Sequence, residues 1–225
     1  MSDYYYNMII RPGELNDADA AAYTHSMSAM RAYRGILSDG LLSDHFGRKV
    51  LTEFWNKQIQ NSVANPESFK VMVAQDANNG AIAGVCLASI ATEKNDRRIL
   101  PVLQKVGIQN FQDNAIGNIN TLYLHPEYQG MGLGINFAHR IANSLHADTF
   151  ITETLNGYDV SPAFFRKLGA RNIGNYHITI SEHYRTKTQN GNDAIILHVH
   201  KMSKADILAK CEEKFSRGTV RIKGN

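Results

Sequence analysis

The chain reads as a mixed α/β (α+β) protein with a central, mostly antiparallel sheet and helices on both faces. Three observations predict this. Candidate elements run β-α-α-β-β-(irregular)-β-α-β-α-β-β, alternating late but not early, which argues against a doubly wound parallel sheet. An Asn79-Gly80 hairpin signal separates two apolar runs. Further on, three closely spaced glycines, Gly130, Gly132 and Gly134, join a strand to a helix.

The elements follow from local patterns. Met8-Ile9-Ile10-Arg11-Pro12 is a short strand stopped by proline. Asn16 or Asp17 can cap a helix over 18–30. A second helix is predicted over 43–60, with Phe46, Val50, Phe54 and Trp55 forming its apolar face. Strands at 69–74 and 81–91 flank the hairpin turn. The 92–118 stretch is irregular, with 100–106 either a short helix or part of a substrate-covering loop. A strand at 119–124, the glycine turn, a helix over 132–145 and a strand at 149–155 come next. Ser161 or Asp159 caps a helix to Leu168, and Gly169 suits the position after its end. Strands at 172–180 and 194–200 are joined by a polar insert, 182–192. A helix over 203–215 precedes a tail that is expected to fray. The chain divides into a main domain, 1–202, and a C-terminal helix and tail, 203–225.

Composition narrows the class. With 43% hydrophobic and 20% charged residues, 225 residues can bury a core without disulfides. Cys86 and Cys211 are the only cysteines and form no metal-binding spacing. They are read as reduced thiols of a cytosolic protein. A net charge of +3 without a basic run gives no reason to expect nucleic-acid binding. No apolar stretch is long enough to span a bilayer, and no leader pattern opens the chain. The protein is expected to be soluble and cytoplasmic, without a membrane partner.

The chemistry concentrates in Leu122-Tyr123-Leu124-His125-Pro126-Glu127-Tyr128-Gln129-Gly130-Met131-Gly132-Leu133-Gly134. Glycine permits positive φ and close approach of the backbone to a ligand. A helix N-terminus adds free N–H donors and partial positive charge. Together these make an anion site, each charge contact worth roughly 0.3–2 kcal/mol. The dinucleotide fingerprint fails because residue 135 is isoleucine, and the P-loop fails because no Lys-Ser/Thr follows Gly134. A plain strand-to-helix turn is the alternative.

Gln129, Gly132 and Gly134 fit Arg/Gln-x-x-Gly-x-Gly/Ala, and here the chain resembles the GNAT superfamily of N-acetyltransferases. Ala32-Tyr33-Arg34-Gly35-Ile36-Leu37 before the Trp55 helix resembles the early helix pair of that family. Ser161-Pro162-Ala163-Phe164-Phe165-Arg166-Lys167-Leu168-Gly169-Ala170 resembles its late helix. The resemblance spans about residues 8–202 and implies a sheet splayed at its fourth and fifth strands. It implies acetyl-CoA as acyl-donor cosubstrate, with no metal. The pyrophosphate would lie on Gln129, Gly130, Met131, Gly132, Leu133 and Gly134. The pantetheine arm would lie against the backbone of Leu122 and Leu124, near Asn156 and Phe165.

The implied reaction is direct attack of a primary amine on the thioester. An amine of pKa near 10.4 lies about three units from neutrality at pH 7, about 4 kcal/mol. A positioned base therefore contributes roughly 10²–10⁴-fold. Glu153, charged in an otherwise uncharged strand, is the candidate; an outward surface carboxylate is the alternative. Asn120 and Thr121 can orient water, or simply face solvent or a neighbouring strand. The family's thiolate-protonating tyrosine falls at Phe165, so Tyr158 is the candidate acid, packing being its alternative role. His198 and His200 share a strand face without a third ligand, and His125 reads as a turn residue. Tyr4, Tyr5 and Tyr6 read as a sticky terminus. Ile207, Leu208 and Cys211 form a face that docks on its own domain or on a partner in a homodimer. A small-molecule amine is the expected acceptor, because material beyond the compact family core can wall the acceptor site. A non-catalytic acyl-CoA-binding sensor is the alternative function.

Overall fold

The computed structural model describes residues 7–111, 115–179 and 194–216. The 182–192 insert, Tyr4 to Tyr6 and the tail beyond Ser216 lie outside them. Seven strands form one sheet: β1 (Met8–Pro12), β2 (Phe69–Asp76), β3 (Ile82–Ile90), β4 (Ile116–Leu124), β5 (Thr149–Leu155), β6 (Arg171–Thr179) and β7 (Ala194–Ser203). Their spatial order is β1-β2-β3-β4-β5-β7-β6. Every neighbouring pair is antiparallel except β4–β5, which is parallel. The mixed, mostly antiparallel sheet expected from the element order is therefore present, and helices cover both faces.

On one face, α1 (Ala18–Tyr33), α2 (Asp39–Phe46) and α3 (Arg48–Ala64) cover the first strands. Ala21, Ala22 and Trp55 pack there on Val73 and Val85. The short helices α4 (Glu93–Asp96) and α5 (Leu100–Gln104) continue this layer, with Leu103 and Ile99 packed on Ile151 and Val199. On the other face lie α6 (Leu133–Ser144), α7 (Val160–Lys167) and α8 (Lys204–Ser216). Phe137, Ile141 and Phe165 bury against Phe150 and Met202 on that side. In α8, Ile207 and Cys211 join the same cluster, and the Cys211 thiol donates to the Ile135 carbonyl at 3.4 Å. The apolar face of this helix thus packs on its own chain. No helix of the described residues is long and apolar enough to cross a membrane.

The predicted helix over 43–60 is instead two helices. Gly47 has extended backbone (φ −63°, ψ 142°) and breaks the run. A Cβ at Gly47 would sit 2.5 Å from the Ser43 carbonyl oxygen, so the tight link requires glycine. Ser38 caps α2 through Leu41 N–H. Phe46 accordingly belongs to α2, and Val50 points outward at 46% exposed. The buried stripe of α3 is Leu51, Trp55 and Ile59, spaced four apart. Asp17 occupies the N-cap of α1 without a side-chain cap bond. Its carboxylate instead accepts from Arg11 at 2.7 and 2.8 Å and from Glu14 N–H at 2.8 Å.

The parallel pair that positions the site is closely packed. A Cβ on Gly117 of β4 would meet the Phe150 ring at 2.4 Å. Gly117→Ala is therefore expected to destabilise the fold by about 1–3 kcal/mol through overpacking. Urea denaturation measures this, and an unchanged midpoint would mean that Phe150 yields without strain.

Candidate active site

The glycine turn is held from below. Tyr128 is buried and its hydroxyl donates to Asp76 Oδ2 at 3.3 Å, tying the turn to β2. Above that anchor, Gly130 and Gly132 adopt φ of +83° and +81°, with Gly132 as N-cap of α6. Side chains adopt this region only with strain. The backbone N–H groups of Gly130, Met131, Gly132, Leu133 and Gly134 have no acceptor among the described residues. Gly134 is small for a different reason: a Cβ there would lie 3.0 Å from the Phe164 ring. The Gln129 side chain donates to the Leu124 carbonyl at 3.1 Å, bracing the turn against the end of β4. The Leu122 and Leu124 side chains pack into the core beside α6, leaving their backbone along the strand.

Beside the turn, β4 and β5 separate. Their parallel pairing ends at Ile119↔Thr152. The Thr152 hydroxyl donates to the Ile119 carbonyl at 3.0 Å and closes the last rung. On its other edge, β4 pairs with β3 as far as Leu124, with a register shift that leaves Asn120 opposite no β3 residue. The extra residue bends the strand away. Beyond Thr152, β5 continues with β7 alone. The result is a cleft between 120–124 and 153–155, its apex flanked by Asn120 and Glu153.

Both of these residues line a cavity of about 700 Å³ on the α4 side of the sheet, with Asp96, Asn118 and Tyr176. Glu153 is half-buried and accepts from the Tyr176 hydroxyl at 2.8 Å. Burial raises the Glu153 pKa above the ordinary carboxylate value; the Tyr176 hydrogen bond opposes this and nearby Asp96 adds to it. Asn120 Oδ1 accepts from Ser89 at 3.0 Å. Asp96 accepts from Asn118 Nδ2 at 2.7 Å and from Thr92 N–H at 2.8 Å, and burial raises its pKa as well.

A second group spans the open end of the cleft. Tyr123 on β4 and Tyr33 on α1 share a 2.9 Å hydroxyl–hydroxyl bond. The Tyr33 ring packs edge-on against Tyr158, just past β5, at 5.7 Å between centroids. Burial raises the pKa of all three phenols. His25 stacks on Tyr123 at 3.9 Å, and burial drops its pKa to about 3, so it is a neutral plate.

The remaining sequence candidates lie nearby. Asn156 N–H donates to the Ile196 carbonyl at 3.0 Å, and its Oδ1 lies 3.1 Å from His198 Nε2. His200 pairs with Thr154 at 2.8 Å. No cluster of three or more His, Cys, Asp or Glu suited to a metal occurs among the described residues. Phe165 is 5% exposed within the core, so the ring that abuts the glycine turn is its neighbour Phe164.

Solved structures share this architecture. The PaiA N-acetyltransferase of Thermoplasma acidophilum, in complex with coenzyme A, is 14% identical; the match covers 88% of this chain and 99% of that one, with a TM-score of 0.56. YncA of Salmonella typhimurium, a putative acetyltransferase with acetyl-CoA, is 16% identical over 88% and 94%, also at 0.56. Others are described as acetyltransferases of the GNAT family. The fold is that of the GNAT acetyltransferases. No family model matches the sequence, and no curated protein matches it. A ribosomal-protein-alanine N-acetyltransferase of Brucella melitensis has the GNAT fold too, at 14% identity over 87% and 99% with a TM-score of 0.57.

Within this GNAT fold, the structure brings the sequence candidates Glu153 and Asn120 to one cavity, together with Asp96, Asn118 and Tyr176, and it groups Tyr33 with Tyr123; sequence reasoning singled out none of these five. Asp96 carried a signal, as a carboxylate four residues after the capping Thr92. Tyr176 carried none, because nothing in the order of the chain places β6 near β5.

Proposed function

We propose that the chain is an N-acetyltransferase that moves an acetyl group from acetyl-CoA to the primary amine of a small molecule. One observation carries the reading: a cleft with an anion-receptive turn at one mouth and a half-buried carboxyl of raised pKa at its apex. The turn suits a diphosphate because its five N–H groups lack acceptors among the described residues and no acidic side chain lies between Gln129 and Gly134. When bound, acetyl-CoA supplies the acetyl group as a thioester. The exposed edge of 120–124 offers backbone partners to an extended chain, as a sheet edge does.

Glu153 takes the proton of the acceptor amine, with both substrates bound. Burial raises its pKa and so makes it a stronger proton acceptor than an exposed carboxylate. Tyr176 orients it through the 2.8 Å hydrogen bond. As the N–C bond forms the C–S bond breaks, and the electron pair leaves with sulfur. Tyr158 donates a proton to that sulfur, standing in for the hydroxyl that Phe165 lacks. Reaction in the cytoplasm, without a metal, completes the proposal.

The test is thiol release from acetyl-CoA on incubation with a panel of amines. Amine-dependent release supports transfer. Tight acetyl-CoA binding without release from any amine favours a sensor, the reading that Phe165 leaves open. Tyr158→Phe is expected to lower kcat on the order of tenfold with acetyl-CoA KM unchanged. The effect is modest because a thiol of pKa about 8.5 leaves readily. A kcat equal to wild type between pH 6 and 9 removes Tyr158 from the mechanism.

A further inference from the structure

We infer that the acceptor is a small zwitterion, an amino-acid-like molecule that carries a carboxylate beside the amine it presents to Glu153. This rests on the acyl-transfer reading and narrows its acceptor. The cavity at the cleft apex has two chemically distinct levels. Its floor consists of acceptors: Asp96 is 6% exposed and Glu153 half-buried. Asn118, which lines the same floor, is 4% exposed, and its Oδ1 has no hydrogen-bond partner among the described residues. A buried acceptor left unpaired is unfavourable, and an ammonium brings three donors. The floor therefore suits the amine end.

The rim has the opposite sign. Lys94, Arg97 and Arg98 are exposed and line the cavity from one short stretch around α4. The Arg98 charge is felt at both Glu153 and Tyr176, which places the cationic rim beside the base. Three cations stand against the two carboxylates, Asp96 and Glu153. A polyamine that reached the floor would leave its other charges among these cations, and a neutral amine would leave the rim unused. A carboxylate suits the planar forks of arginine. The volume, about 700 Å³, fits a small molecule.

The experiment compares L-amino acids with their own carboxamides, using spermidine as a carboxylate-free polycation. Two readouts are taken: thiol release from acetyl-CoA, and calorimetric binding to the CoA-loaded protein. At least one amino acid is expected to exceed its carboxamide about tenfold in kcat/KM, in keeping with charge complementarity. The double substitution Lys94→Gln/Arg97→Gln is expected to lower that preference about fivefold, leaving the carboxamide within about twofold of wild type. Preference for carboxamides or spermidine, or an equal loss for both partners of a pair in the double variant, overturns the inference while acyl transfer stands. Amino acids that bind the CoA-loaded protein better than their carboxamides but never release thiol support the charge pattern and overturn acyl transfer. Absence of amino-acid binding and turnover overturns the inference.

Discussion

Glu153→Gln is expected to lower kcat by about 10²–10⁴-fold, the contribution of a positioned general base. The substitution preserves shape, and a glutamine oxygen still accepts from Tyr176. Acetyl-CoA affinity is expected to stay within about twofold, because the N–H groups proposed to hold the diphosphate belong to a different element. In the wild type, kcat/KM is expected to rise with pH as Glu153 loses its proton. That titration lies above the ordinary carboxylate range because the group is buried. The variant loses this limb of the profile. Stability runs the other way. A carboxyl whose pKa is raised by folding binds protons more tightly in the native state, so its contribution is complete below the unfolded pKa and is lost as pH rises through the folded pKa. Glu153→Gln is therefore expected to match wild type in Tm near pH 4.5 and to exceed it by a growing margin toward pH 8. A variant that keeps more than a tenth of kcat, or that loses stability with rising pH, rules out a half-buried base at this position.

Gly132→Asp is expected to weaken acetyl-CoA binding about 100-fold, roughly 3 kcal/mol. Gly132 is the N-cap of α6 at φ +81°. Aspartate tolerates this conformation better than most residues, so the fold is expected to survive with a Tm within a few degrees of wild type. Its carboxylate, however, puts a negative charge beside the first turn and repels the diphosphate. Calorimetry against acetyl-CoA, with a thermal melt beside it, separates lost binding from lost structure. A Kd within threefold of wild type would mean that the diphosphate lies elsewhere.

These expectations rest on features that were unequally legible in the sequence. The glycine turn was readable because its constraint is local: alternating glycines between a strand and a helix specify backbone conformation directly. Glu153 stood out as the lone charge in an otherwise uncharged strand. The break at Gly47 was missed because the apolar period continues through it, while the steric conflict with Ser43 exists only after folding. The grouping of Asp96 and Asn118 with Glu153 was missed because the three come from separate elements. Phe164 and Phe165 show the limit of pattern alone: both are phenylalanine, and only helix rotation decides which one enters the core and which one abuts Gly134.

The most direct test of the account is a crystal structure of the protein with acetyl-CoA. The prediction is a diphosphate within hydrogen-bond distance of the N–H groups of residues 130–134. The pantetheine arm is expected between 120–124 and 153–155, with the thioester beside Asn120 and Glu153. A diphosphate away from the turn, or a thioester outside the β4–β5 cleft, would contradict it.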